Sequence, residues 1–174
     1  MHRPVVRVFV AASLDGFIAS ADGDLAWLCA FDDPPEQTGY SRVSAETDTL
    51  VLGRNTYDSV LGFDAWPYAG KRVVVLTHRS IAGQHGEVAY SGSLETLLHD
   101  LWVQGSRQVY LDGGNAIRQG LMGGCVDELT ISWAPMLLGT GIPLFGSEVP
   151  QARLRLVRSQ SLPSGLVQGT YALN

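Results

Sequence analysis

Lysine is almost absent from this chain. Lys71 stands beside eleven arginines in 174 residues, and the 17 carboxylates outnumber the 12 cations to leave a net charge of −5. With a sequence pI near 5.2 there is no basic surplus to neutralise a phosphate backbone, which argues against non-specific nucleic-acid binding. Cysteine is scarce too. Cys29 and Cys125 show no metal-ligand spacing with each other or with the four histidines, so neither a disulfide framework nor a metal centre is expected, and a reduced, cytoplasmic setting is. No apolar run approaches the ~18 residues that cross a membrane, and the first residues lack a signal-peptide pattern. Gly-x-Gly-x-x-Gly is missing after the first strand, which argues against a standard dinucleotide-binding domain. Gly-x-x-x-x-Gly-Lys-Ser/Thr is missing altogether, which excludes a P-loop.

What is present points to one α/β domain over residues 1–174, with 45% apolar and 17% charged residues. Short, nearly continuous apolar runs predict buried strands at Arg7–Ala12, Thr49–Leu52, Arg72–Leu76 and Arg107–Leu111. Val88–Tyr90 is a further candidate. Between them, helices are expected over 36–46, 55–61, 94–103 (capped by Ser93) and 116–122. Asp127–Pro135 alternates Leu129, Ile131 and Trp133 against polar residues. Arg153–Gln160 and Leu166–Leu173 flank a turn at Pro163-Ser164-Gly165. This order implies a mostly parallel central sheet with helices on both faces and an antiparallel C-terminal edge. The four tryptophans, Trp27, Trp66, Trp102 and Trp133, read as core residues.

Ligands in such sheets sit beyond the C-terminal ends of the strands, and three polar segments fall there. The first, Asp112-Gly113-Gly114-Asn115, joins a strand to a helix. Two adjacent glycines lose roughly 0.5–1 kcal/mol each relative to Ala unless the backbone must approach something closely. A helix N-terminus suits an anion, so a nucleotide pyrophosphate on Gly113 and Gly114 is expected, with Asp112 facing the ligand. The second, Gly53-Arg54-Asn55-Thr56, has the same form; Arg54 can pair with phosphate, and Asn55 or Thr56 can cap the helix. The third, Thr77-His78-Arg79, suits a 2′-phosphate, which favours NADP over NAD. Small residues at Ala11 and Ala12 leave room for a flat ring. Asp15 next to them is either a turn residue or a carboxylate at the reacting centre.

Five segments occur in order: Ser13-Leu14-Asp15-Gly16-Phe17-Ile18-Ala19, Leu52-Gly53-Arg54-Asn55-Thr56-Tyr57, Val74-Val75-Leu76-Thr77, Leu111-Asp112-Gly113-Gly114 and Val126-Asp127-Glu128-Leu129. Together the set resembles the reductase domain of the riboflavin-biosynthesis deaminase-reductase, in the dihydrofolate reductase-like superfamily. The resemblance runs over about residues 5–173, without the zinc deaminase half. It implies a dihydrofolate reductase-like fold and NADPH as cofactor. Gly53, Arg54 and Thr56 would hold phosphates from one side, and Gly113, Gly114 and Asn115 the pyrophosphate from the other. Thr77 and Arg79 would lie near the adenosine 2′-phosphate, and Ala12 and Ile18 beside the nicotinamide. Gly139-Thr140-Gly141 with Pro143-Leu144-Phe145 resembles the family segment near the substrate pocket.

The implied activity is NADPH-dependent reduction of a ribosylamino-pyrimidine of the 5-amino-6-(5-phosphoribosylamino)uracil type. Asp15 is the candidate acid or polarising group, and Asp112 the contact to a substrate hydroxyl. A pterin substrate is the alternative, weakened because Gln37, beside Glu36, stands where dihydrofolate reductases place a carboxylate. Asp112 itself stands where the riboflavin branch usually carries Glu. A non-catalytic NADP(H)-binding module and a flavin-binding electron carrier are the readings from other classes. Alternation in the C-terminal strands suits an edge-paired homodimer, while monomeric dihydrofolate reductases share the fold, so both states stay open.

Overall fold

The computed structural model describes residues 2–173. From the N-terminus run β1 (Val5–Ser13), β2 (Phe17–Ala19), a 3-10 turn (Ala26–Ala30), α1 (Pro35–Thr38) and α2 (Tyr40–Glu46). The central part holds β3 (Thr49–Gly53), α3 (Arg54–Leu61), β4 (Arg72–Leu76), β5 (Val88–Tyr90) and α4 (Leu94–Val103). Then follow β6 (Gln108–Asp112), α5 (Gly114–Met122), β7 (Glu128–Ala134), β8 (Ile142–Pro143), β9 (Arg155–Ser161) and β10 (Val167–Ala172). Eight strands form one sheet in the order β5-β4-β3-β6-β1-β7-β10-β9. All neighbours from β5 through to β7 pair in parallel, and β10 runs antiparallel to both β7 and β9. The architecture is therefore the mostly parallel, dihydrofolate reductase-like α/β fold expected, with its antiparallel edge at the C-terminus.

The central strands are continuous in apolar residues because both faces are covered. In β3, Val51 packs with Val8, Leu98, Leu111 and Ile117 on the face of α4 and α5. Leu50 and Leu52 pack with Tyr57, Val60, Val75 and Tyr110 on the face of α3. This is the two-residue period of a strand divided between two cores. Helix α4 buries Leu94, Leu97, Leu98 and Leu101 along one stripe, and the Ser93 hydroxyl accepts the Thr96 N–H at 3.2 Å at its start. Each such leucine stabilises the fold by about 1.5–3 kcal/mol relative to an exposed one.

Three local expectations change. The helix expected over 36–46 breaks into α1 and α2, because Gly39 adopts a left-handed φ of 80° between them. Strand β7 does not have the wet face that its alternation suggested: Thr130 and Ser132 are buried. The Thr130 and Thr170 hydroxyls pair at 3.0 Å, and the Gln168 amide donates to the Ser132 hydroxyl at 3.0 Å, so the polar side chains are satisfied inside the protein. Trp27, Trp66 and Trp133 pack half-buried against the cores as expected, whereas Trp102 joins none of them. Trp66 stacks on His85 with centroids 4.5 Å apart, and the Arg107 guanidinium lies 3.9 Å over the Trp102 ring.

Candidate active site

Strands β3 and β6 are neighbours in the sheet, yet the helices that follow them leave on opposite faces. Residues Tyr57 and Val60 of α3 join one core, whereas Ala116, Ile117 and Leu121 of α5 join the other. Diverging helices after adjacent parallel strands open a crevice at the strand ends. There the protein has a cleft of about 830 Å³, within the range that holds a small-molecule ligand.

Two glycines meet at the base of the crevice. Gly113 has φ +100°, and a side chain there would come within 2.7 Å of the Thr56 hydroxyl and 3.2 Å of the Gly53 nitrogen. A Cβ on Gly114 would lie 2.8 Å from the Ile18 side chain. The paired glycines thus have a reason the sequence did not disclose: what comes close to them is the protein's own β3–α3 junction and β2. That close packing brings the first turns of α3 and α5 side by side. Neither helix has a side-chain cap, since Gly53 and Gly113 occupy the N-cap positions. The N–H groups of the first turns are left for a ligand, and both positive dipole ends face one cleft.

Most of the residues selected from the sequence line this cleft: Ile18, Gly53, Arg54, Thr56, Thr77 and Asp112, together with Gly113, Gly114 and Asn115. The Arg54 Nε donates to both Asp58 carboxylate oxygens, at 2.9 and 3.0 Å, and its Nη1 to the Ser80 carbonyl at 3.1 Å, which holds the guanidinium at the rim. Asn115 accepts a hydrogen bond from Arg118, whose other terminal nitrogen donates to the Pro143 carbonyl at 2.5 Å.

Three residues are placed elsewhere. Ala12 is wholly buried, and it is Ala11 that borders the cleft. Arg79 is exposed beyond the lining, with its backbone N–H donated to the Thr77 hydroxyl at 3.1 Å, while His78 lines the cleft. Asp15 lies outside the lining. Its carboxylate accepts the Ser13 hydroxyl at 2.6 Å and the N–H groups of Leu138 and Gly139 at 3.1 and 2.7 Å. These bonds, the Ser13 hydroxyl first, hold the Asp15 carboxyl below the usual carboxylate range. Asp15 thereby fastens the β1–β2 turn to the segment after β7.

Asp112 has the opposite environment. Burial pushes its carboxyl up to about 6, against the lowering effect of the Gly113 N–H, which it accepts at 2.8 Å. It continues the strand face of Tyr110 two residues on, toward the α3 side of the sheet. Tyr40, Tyr68 and Tyr110 are each raised above the ordinary tyrosine value by burial first and by the Asp112 charge second. The Tyr110 hydroxyl donates to the Phe9 carbonyl at 2.8 Å.

Sequence reasoning missed Phe9, Phe63, Tyr68, Tyr110 and Arg118 among the lining residues. The two-residue strand period could have found Tyr110 from Asp112. The three-residue helical spacing could have found Arg118 from Asn115. Tyr68 sits in the irregular segment after α3, where no local pattern marks it.

The RibD C-terminal domain family matches residues 4–168 of this chain. The uncharacterized protein YwjB of Bacillus subtilis is 32% identical over 159 residues, covering 90% of each chain. The riboflavin biosynthesis protein RibD of Corynebacterium ammoniagenes is 29% identical over 160 residues, which are 82% of this chain and 46% of that protein. Among solved structures, a protein of Shewanella sp. PV-4, provisionally assigned to riboflavin biosynthesis, superimposes with a TM-score of 0.87 at 36% identity, covering 98% of this chain and 99% of that one. RibD of Acinetobacter baumannii shares the fold, with a TM-score of 0.79 at 20% identity over 99% of this chain and 58% of that one. With the match running over nearly its whole length and the fold agreeing with it, the chain belongs to the RibD C-terminal domain family.

Proposed function

We propose that this chain is an NADPH-dependent reductase acting on a ribosylamino-pyrimidine. The observation that carries the reading is the pair of uncapped helix N-termini, α3 and α5, brought onto one cleft by the Gly53–Gly113 apposition. Two such ends with Thr56, Asn115 and the guanidinium of Arg118 beside them form a donor set that fits the diphosphate of a dinucleotide. A related Thermotoga maritima protein, 18% identical and alike in fold, is described as a deaminase and 5-amino-6-(5-phosphoribosylamino)uracil reductase. That description supports the substrate class.

In this reading, Gly53, Arg54 and Thr56 hold the cofactor phosphates from one side, and Gly113, Gly114 and Asn115 from the other. Thr77 and His78 face the adenosine end, with Arg79 approaching a 2′-phosphate from outside the lining. Ile18 and Ala11 border the nicotinamide, whose chemical contribution when bound is a hydride. Asp112 is the proton-handling group. A carboxyl with a pKa near 6 exchanges its proton readily around neutral pH, as a general acid requires. The aromatic wall of Phe9, Tyr68 and Tyr110 excludes water and orients a flat substrate ring. Asp15 acts at one remove, by fastening the turn that carries Ile18.

Calorimetric titration with NADPH and with NADH tests the reading, followed by loss of reduced-nicotinamide absorbance with an aminopyrimidine riboside. NADPH should bind at least about tenfold more tightly than NADH, a difference of about 1.4 kcal/mol. No heat with either coenzyme overturns the assignment; binding without turnover on any aminopyrimidine or pterin supports a binding module instead.

A further inference from the structure

The loop between β4 and β5 carries Thr77, His78 and Arg79, and the first two line one end of the cleft. Residues 77–86 are exposed or half-buried throughout. A loop of that kind must be held from outside if it is to present three side chains in one arrangement. The Arg54 Nη1 donates to the Ser80 carbonyl at 3.1 Å. Ile81 packs against the cluster that contains Tyr57 and Val60. The His85 ring stacks on Trp66, in the segment after α3.

The remaining contact is a buried charge that the proposed chemistry does not use. Glu87 closes the loop just ahead of β5 and is 6% exposed. A buried carboxylate is unfavourable unless its oxygens are hydrogen-bonded. Oε1 accepts the Tyr57 hydroxyl at 3.2 Å, and Oε2 accepts the His85 N–H at 2.7 Å. No arginine or lysine pairs with Glu87 among the described residues. Burial works against its charge, yet its own N–H, the His85 N–H and the Tyr57 hydroxyl hold the carboxyl below the usual carboxylate range. Glu87 is therefore an anion at neutral pH with both oxygens committed.

An apolar side chain would fill the same volume without burying a charge. What the carboxylate adds is direction. One oxygen grips the loop at His85, and the other grips α3 at Tyr57, three residues on from Arg54. The loop is thus fixed against the helix whose N-terminus borders the same end of the cleft. Ala11, Ile18 and Asp112, by contrast, stand on β1, β2 and β6 and share no contact with Glu87.

We infer that Glu87 is a positioning residue for coenzyme discrimination: through Tyr57 it fixes the β4–β5 loop against α3, so that Thr77, His78 and Arg79 together meet the 2′-phosphate that distinguishes NADPH from NADH. The inference rests on the proposed reductase reading and deepens it, because the residue that sets the preference touches neither coenzyme nor substrate.

The test uses the full chain, with NADPH and NADH binding followed by tryptophan quenching and each melting temperature recorded. Glu87→Gln keeps the size of the side chain but replaces one acceptor oxygen with a donor. Tyr57→Phe removes only the hydroxyl, and it carries the same test if Glu87→Gln does not fold. In each variant NADPH affinity should fall at least about fivefold while NADH affinity changes less than about twofold. Turnover at saturating NADPH should stay within about twofold of native. The double variant should lose no more NADPH affinity than the weaker single, because both substitutions cut one connection. Equal loss for the two coenzymes marks a merely structural role and overturns the inference. An unchanged NADPH-to-NADH ratio in both variants, beside a native preference for NADPH, overturns it alone. A native chain that binds neither coenzyme, or both equally, overturns the parent reading and this inference with it.

Discussion

At the scale of the residue, Asp112 and Gly113 line the cleft and are constrained for different physical reasons. Asp112 is a carboxylate whose neutral form is favoured by burial. Its native pKa of about 6 lies above the unfolded value, so the folded state holds the proton more tightly. Stability therefore falls as pH rises between about 4 and about 6 and levels off beyond, a change on the order of 2–3 kcal/mol. Asp112→Asn should flatten that slope in urea titrations across the window. If Asp112 gives the proton, turnover should decline as pH rises through 6. The variant should lose that limb and at least about a hundredfold in kcat, with NADPH affinity kept. A retained limb assigns the proton to another group. Gly113 is required by geometry. Gly113→Ala combines a φ of +100° with a 2.7 Å approach to Thr56, and should destabilise by about 2–4 kcal/mol in denaturant unfolding.

Elements act here through how they are joined. β1 and β2 meet at a turn whose Asp15 accepts the Leu138 and Gly139 N–H groups, and β2 pairs with β8. One carboxylate thus ties the Ile18 side of the cleft to the segment that follows β7. Asp15→Asn removes part of that tie. Faster amide exchange at Leu138 and Gly139 and a lower melting temperature are expected, with a smaller loss of turnover than Asp112→Asn produces. A larger loss than at Asp112 would return Asp15 to the reacting centre. Because the Asp15 pKa is depressed, this tie is complete above the ordinary carboxylate pKa and is lost as pH falls through the lower folded value. The segment after β4 is held in a similar way, by Arg54 on the Ser80 carbonyl and by Tyr57 on the buried Glu87. Charge reversal at Arg79 tests whether this held segment meets the 2′-phosphate: NADPH binding should weaken more than NADH binding.

For the whole molecule, the crevice comes from winding order. The chain lays down β3, β4 and β5 outward, then returns to insert β6 between β3 and β1. That return sets two helix N-termini against each other without any extended glycine motif. The far edge of the sheet is different. β9 is exposed along nearly its whole length, has a register irregularity at Val157, and carries Arg155 and Arg158. Bulges and charges on an edge oppose pairing with a second copy. Any dimer is therefore expected to avoid β9–β9 pairing, and Val157→Pro should leave the sedimentation mass unchanged, whether native mass is 18.7 kDa or its double. A variant that halves the native mass overturns this.

The sequence alone determined the strand order in time, the fold class and the polar segments at the strand ends. Apolar run length, strand period and helix caps are local properties of the chain, legible in Leu50-Val51-Leu52 or Ser93 without a partner in view. Only the tertiary structure decided that the Gly113–Gly114 pair packs on Gly53, Thr56 and Ile18, that Asp15 faces a loop while Asp112 faces the cleft, and that Tyr68 completes an aromatic wall. These are contacts between residues 57 to 124 positions apart, or from a segment without periodicity. Their energies depend on distance and burial, and no pattern along the chain encodes either.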